Sequence, residues 1–282
     1  MKFTVKNTDK TSKFITIMKN MKSLVPEVNM HIVSSGIFIQ GLDSSNVGLF
    51  ELKLDKGWFD GWKGKDEMEY IIGLNCEVLS LIMNCYTTGQ YIEFSYMENS
   101  SDELIIKFEG ENHHDKMFEV KLMDIDQQLL EIPSTEYDAD ITMKSSEFNT
   151  LMAEASLFGD TLRVELGSDE NIYMNIEGDN GVMRIRIKEE NIVEYALAEE
   201  VEIKHAYALK YCLLYSKFSK MNKNVRLHLK DNIPLRIVYN LGHWIDGSDV
   251  SGNLYDDVDA DEEELRNYLS FHLAPKIDED EE

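Results

Sequence analysis

Hydrophobic and polar positions along this chain switch between two periods, and the switch recurs. "MKFTV" has the short β-branched and aromatic signature of a strand. "TSKFITIMKNMKSLV" then spaces Phe14, Ile17, Met18, Met21, Leu24 and Val25 at the interval of an amphipathic helix. Strand patterns follow at "VNMHIV", "GIFIQGL" and "VGLFELKL". The order then starts again with strand "MEYIIGL", helix "NCEVLSLIMNCY" and strands "YIEFSYM", "ELIIKFEG" and "MFEVKLM". A third round runs from "YDADITM" through the helix "KSSEFNTLMAEASLFG" to "DTLRVELG", "NIYMNIEG" and "GVMRIRIK". That helix carries Phe148, Leu151, Met152 and Ala155 on one face, with Ser145 or Ser146 as its expected cap. The fourth round is strand "EEVEIKH", helix "AYALKYCLLYSKFSK" and strands "NVRLHLK", "PLRIVYN" and "YLSFHLA".

A unit of strand, helix and three strands therefore occurs four times, twice on each side of "LMDIDQQLLEIPSTEYDADITM". Such repetition predicts an α+β fold of two similar domains, each built of two βαβββ units with both helices on one side. The expected limits are residues 1–122 for the first domain, 123–137 for a connector and 138–282 for the second. The second includes an acidic loop over 245–265 and an acidic tail over 276–282. The connector is peculiar in carrying three aliphatics, Leu129, Leu130 and Ile132, with no obvious core to enter.

Composition changes this picture in one respect. The hydrophobic fraction of 43% suffices for a core in each domain, and no window approaches the length of a membrane span. The opening "MKFTVKNTDKTSKF" has no apolar signal core, so an intracellular protein is expected. Cys76, Cys85 and Cys212 are scattered without metal spacing and are expected as reduced core thiols. Net charge is −25, which taken alone argues against a nucleic-acid binder. The excess is uneven, however. From Asp246 to Glu282 there are 14 acids against Arg266 and Lys276, so about half of the imbalance sits in a small part of the chain.

Candidate chemistry is sparse. No P-loop, GxGxxG, HExxH or nucleophile elbow occurs. His113 and His114 fall between two strands and read as turn residues; Asp124 and Asp126 alternate with apolar positions as on a strand edge. The acidic loop lacks the ligand spacing of an EF-hand. An acid-dependent metal nuclease would need carboxylates clustered at one strand end, whereas these are dispersed, so no enzyme, cofactor or metal is expected. The lysines say more. Lys10, Lys13, Lys19 and Lys22 on the first helix, and Lys210, Lys217, Lys220 and Lys223 on and beyond the fourth, are islands of positive charge in an acidic chain. They read either as ordinary solvated faces or as a local phosphate-facing surface.

Four segments carry a resemblance: "SSGIFIQGLDSSNVGLFEL", "KLMDIDQQLLEIPSTEYDADITMKSSEF", "FGDTLRVELG" and "HLAPKIDEDEE". In content and order they resemble the proliferating cell nuclear antigen family, the eukaryotic-type DNA sliding clamps. The resemblance implies a DNA clamp fold in a ring of three subunits around duplex DNA, with the helices lining the hole and the sheets outside. It implies a polymerase processivity factor served by a clamp loader, with the eight lysines facing DNA. It also implies a hydrophobic pocket for peptides with aromatic plugs, carried by polymerases, ligases and nucleases. That pocket maps onto Leu42, Val47, Leu49, Leu130, Ile132, Pro234, His272, Ala274 and Pro275. Subunits would join through "KMFEVKL", with Phe118 and Val120, and "GVMRIRIK", with Val182, Ile185 and Ile187.

Two departures stand out. An aromatic residue usually stands where His272 does. The second and third helices, basic in the family, here present Leu81, Asn84, Thr150, Ala153 and Leu157, so weaker and more salt-sensitive DNA contact is expected. The alternatives are a monomeric or non-closing processivity factor and a checkpoint-type hetero-ring subunit. The first would need more charge than these helices carry, and the second usually lacks the full pocket. The divergence fits a large DNA virus as well as a cell. The expected location is the nucleus for a cellular protein, and the host nucleus or a cytoplasmic replication site for a viral one.

Overall fold

The computed structural model describes residues 1–64, 69–96, 103–167, 171–179, 181–242, 244–245, 248–249 and 266–276. Most of the acidic loop 245–265 and of the tail 276–282 lies outside the described residues. The chain forms two compact units. The first takes residues 1–44, 50–130 and 241–269; the second takes 45–49, 131–240 and 270–282. The change of unit at Leu130 and Glu131 falls inside the connector, and each unit also takes a segment from beyond its expected limits.

In the first unit the order is β1 (Lys2–Val5), α1 (Thr8–Asn20), β2 (Glu27–Val33), β3 (Gly36–Leu42), β4 (Gly48–Asp55) and β5 (Gly61–Lys63). Then come β6 (Tyr70–Asn75), α2 (Cys76–Met83), β7 (Tyr91–Tyr96), β8 (Glu103–Glu109) and β9 (Lys116–Lys121). Short 3-10 turns follow α1 and β4, at Met21–Ser23 and Lys56–Trp58. The two repeats interlock by exchanging their first strands. β1 joins the sheet of the second repeat, in the order β5-β1-β7-β8-β9, while β6 joins that of the first, in the order β4-β3-β2-β6. Register is fixed by apolar pairs, with Phe3 opposite Phe94 and Met30 opposite Ile72. Neither repeat completes a sheet alone, and this is why two of them make one folding unit.

The same exchange builds the second unit. Its elements are β10 (Ala139–Lys144), α3 (Ser145–Ala155), β11 (Thr161–Leu166), β12 (Ile172–Gly178), β13 (Gly181–Ile187) and β14 (Ile192–Leu197). They continue with β15 (Ile203–Ala208), α4 (Leu209–Ser216), β16 (Asn224–Leu229) and β17 (Leu235–Asn240). After the two-residue pair β18 (Trp244–Ile245) and β19 (Ser248–Asp249), β20 (Tyr268–Leu273) closes the series. β15 joins β13-β12-β11, and β10 joins β16-β17-β20 with β14 on its far side. Ile141 opposite Leu227 and Leu162 opposite Tyr207 set the registers.

Each unit is filled by its own aromatic cluster. In the first, Phe3 stacks on Phe94 at 4.8 Å between centroids, and Phe14 meets Phe94 edge-on at 5.6 Å. In the second, Tyr215 stacks on Phe271 at 4.3 Å, with Phe218 at 5.2 Å from the same ring. Such pairs add a preferred geometry to the burial that drives packing. The helices lie against one another within each unit, α1 on α2 and α3 on α4.

Several local expectations change. β5 and β14 were not anticipated: β5 is three residues long, and β14 buries none of its residues, so neither shows a clear period. α4 is shorter than its pattern, because Ala206, Tyr207 and Ala208 pair with β11 before the helix begins. α3 has no side-chain cap; Ser145 is its first residue, and the Ser145 amide donates to the Lys223 carbonyl oxygen at 2.8 Å. His113 and His114 lie in the turn between β8 and β9, whereas Asp124 and Asp126 sit in irregular chain. Cys76 and Cys212 are buried, and burial pushes both thiols up to about 12, with the charge of Glu27 adding to the effect at Cys76. Cys85, at the end of α2, is exposed and not a core thiol.

Candidate DNA-facing and partner-docking surfaces

The lysines of the first unit are less available than their number suggests. Lys10 is only 3% exposed, with its ammonium 5.7 Å from the Trp58 ring. It stands four residues before Phe14 and so belongs to the buried stripe, which removes it from any surface. Lys13 is paired with Asp9 at 2.8 Å, and Lys22 with Glu77 of α2 at 3.2 Å. Lys19 remains exposed, with no ion-pair partner among the described residues. In the second unit Lys210, Lys217, Lys220 and Lys223 are all exposed. Lys210 stands over the Tyr211 ring at 4.7 Å, and none of the four has an ion-pair partner among the described residues.

The second and third helices present no compensating cations. α2 exposes Val78, Leu81 and Asn84; Thr150, Ala153 and Leu157 are exposed on and after α3. The expectation of weaker DNA contact rests on these positions. Steeper salt dependence does not follow from them, because the slope of affinity against salt scales with the number of phosphates neutralised, and fewer lysines make it shallower.

The connector is laid across the first unit's sheet and pinned at three points. The Met123 amide donates to the Gly73 carbonyl oxygen at 3.0 Å, the Asn29 side chain donates to the Ile125 carbonyl oxygen at 3.0 Å, and Gln40 holds Leu130. At that last point the Gln40 Oε1 accepts from the Leu130 amide at 2.8 Å and its Nε2 donates to the Leu130 carbonyl oxygen at 2.9 Å. Strand period explains the polar residues. Val28, Met30 and Ile32 face the core, which turns Asn29 to the other face; likewise Ile37 and Ile39 leave Gln40 and Leu42 outward. The connector covers that outer face, so Asn29 and Gln40 are 5% and 2% exposed yet hydrogen-bonded.

The other docking candidates are placed as follows. Leu42 is half-buried at the end of β3, while Leu130 is 48% exposed. Leu129, next to it, is 44% exposed. In the second unit Val47, Ala274 and Pro275 are half-buried, Leu49 is buried, and Ile132 and Pro234 are exposed. The Ala274 amide donates to the Val47 carbonyl oxygen at 2.9 Å, tying the C-terminal segment to the one before β4. His272 is 7% exposed, its Nε2 3.3 Å from the Ser270 hydroxyl, which also accepts from Arg236 Nε at 3.3 Å.

β9 and β13 each end their sheet. On β9, Phe118 turns inward against Phe108, with centroids 5.5 Å apart, and Val120 is buried. On β13, Val182 is 52% exposed, Ile185 is half-buried and Ile187 is buried. Four of the five expected interface side chains therefore already pack partly or wholly inside their own unit, and only Val182 is broadly exposed. Met117, 58% exposed on β9, was missed. Its place beside "FEVKL" on an edge strand was the available signal.

Comparison with known proteins agrees with the architecture. The model of the proliferating cell nuclear antigen N-terminal domain matches residues 6–129, and that of its C-terminal domain matches residues 131–245. The proliferating cell nuclear antigen of Chaetomium thermophilum is 29% identical over 273 residues, covering 94% of this chain and 95% of that protein. The chain therefore belongs to the proliferating cell nuclear antigen family, the non-enzymatic DNA sliding clamps of replication and repair.

Proposed function

We propose that this sliding clamp works as a closed ring of three copies, with β9 of one copy pairing with β13 of the next. The observation that carries the reading is the pair of open sheet edges with Met117 and Val182 exposed. An unpaired edge with apolar side chains invites association, and a ring satisfies it without leaving a free end. Duplex DNA passes through the ring, held by encirclement and by weak, sequence-blind contacts from Lys19, Lys210, Lys217, Lys220 and Lys223. A clamp loader opens and closes it.

Polymerases and other replication proteins dock by a short apolar peptide on Leu42, Val47, Leu49, Leu130, Ile132, Pro234, Ala274 and Pro275. His272, at a position where the family resemblance implies a carbocyclic aromatic side chain, brings a hydrogen-bonding imidazole. In a cell the protein acts in the nucleus. Light scattering at micromolar concentration, with and without a synthetic peptide bearing paired aromatic plugs, tests both halves. A trimer mass with micromolar peptide binding is the expected result; a stable monomer overturns the ring, and no binding overturns the docking surface.

A further inference from the structure

Gln40 does more than fill space beneath the connector. It is 2% exposed, and its amide makes three hydrogen bonds. Two go to the backbone of Leu130, one to each polar group, and the third joins Nε2 to the Glu51 carboxylate at 3.2 Å. Glu51 is itself 8% exposed on the neighbouring strand β4. The Glu51 Oε1 accepts from Nε2, which sets the NH2 end of the amide toward Glu51. With that end fixed, one N–H is left for the Leu130 carbonyl oxygen, and Oε1 is left for the Leu130 amide. Reversing the amide would set two acceptors against each other and two donors against each other. Of the three points that pin the stretch from Met123 to Leu130, this is the one at which a side chain grips both backbone groups of a residue.

We propose that Gln40 and Glu51 are positioning residues for partner docking: Glu51 sets the orientation of the Gln40 amide, and Gln40 holds the Leu130 backbone so that its side chain stands out to receive an apolar peptide. This rests on the docking reading above. It adds that affinity depends on two buried polar residues that no partner touches, and that they act only through Leu130.

The full-length protein is titrated with a fluorescein-labelled synthetic peptide bearing paired aromatic plugs, and hydrogen exchange of the connector amides is followed without peptide. Gln40→Ala weakens binding about tenfold, the loss expected from two neutral hydrogen bonds. Glu51→Gln, which keeps volume and packing but frees the amide to turn, weakens it by a smaller factor. In both variants the Leu130 amide exchanges faster while amides of the β7–β8 ladder are unchanged, which separates a local release from unfolding. In a Leu130→Ala background, Gln40→Ala produces no further loss. If the native protein binds, Leu130→Ala abolishes binding and Gln40→Ala leaves both affinity and exchange at Leu130 unchanged, the positioning role is overturned and the docking site stands. Additive losses from Gln40→Ala and Leu130→Ala likewise overturn it. If the native protein does not bind the peptide, the docking reading itself falls, and the exchange measurement still decides whether Gln40 holds Leu130.

Discussion

The two helix pairs occupy the same places in one repeated topology and differ in both charge and start. In the first unit Asn7 accepts from the amides of Asp9 and Lys10 and so caps α1, and Asn75 caps α2 through the Val78 amide. In the second, Lys144 and Ala208 stand at the N-cap positions of α3 and α4, and neither helix has a side-chain cap. The lysines divide the other way. The first unit buries one and pairs two, whereas all four of the second are exposed and without an ion-pair partner among the described residues. The strand exchange is thus common to both units, while helix starts and surface charge differ around it. In this clamp the positive surface belongs mainly to the second unit.

The comparison is broken most severely at the cores. Phe14→Ala in the first unit and Phe271→Ala in the second should each cost about 3–5 kcal/mol in denaturant unfolding. If the units are separately packed, the double variant should lose the sum of the two. The charge contrast gives the next largest effect. Lys217→Ala with Lys220→Ala should lower the salt slope of DNA association by about 2, near 0.9 for each phosphate no longer neutralised. Lys13→Ala with Lys22→Ala should leave the slope almost unchanged, because those ammonium groups are already matched to Asp9 and Glu77. Filter binding across a salt series separates the two pairs, and equal slopes would sink the assignment.

The smallest effect concerns the helix starts. Asn7→Ala should cost about 1 kcal/mol, the usual worth of such a cap, read from the midpoint of unfolding. Lys144→Asn should regain a similar or smaller amount by giving α3 the cap it lacks. No gain there would mean that the Ser145 amide, held by the Lys223 carbonyl oxygen, already does the work of one.

How much of this was legible in the sequence depended on how much each element buries. β8 and β11, with strict alternation, and α1, with its stripe from Phe14 to Met21, were readable because one face enters a core. β14 was not, since its pairing is almost wholly a matter of backbone. The strand exchange was invisible as well: nothing in "MKFTV" says whether it joins the sheet of its own repeat or the next. At the candidate sites, Leu130 and Ile132 announced themselves as aliphatics in a polar connector. Gln40 did not, for a glutamine within "GIFIQGL" reads as the solvent side of a strand. Lys10 was readable by helical spacing from Phe14, but its charge made the surface reading easier.

Gly73 sets how the connector can lie. A methyl group there would stand 2.1 Å from the Met123 carbonyl oxygen, so the connector crosses β6 flat only because that position has no side chain. From Met123 to Leu130 the chain is then fastened at three places, and immobilising each backbone position costs about 1–2 kcal/mol of conformational entropy. That cost falls on folding, together with the favourable burial of the whole unit, and not on the later arrival of a peptide. On the docking reading proposed above, a peptide landing at Leu130 would meet a surface already held still, and more of its contact energy would remain as affinity. The absence of one side chain beneath the belt thus decides at which step of the protein's life its slack is removed.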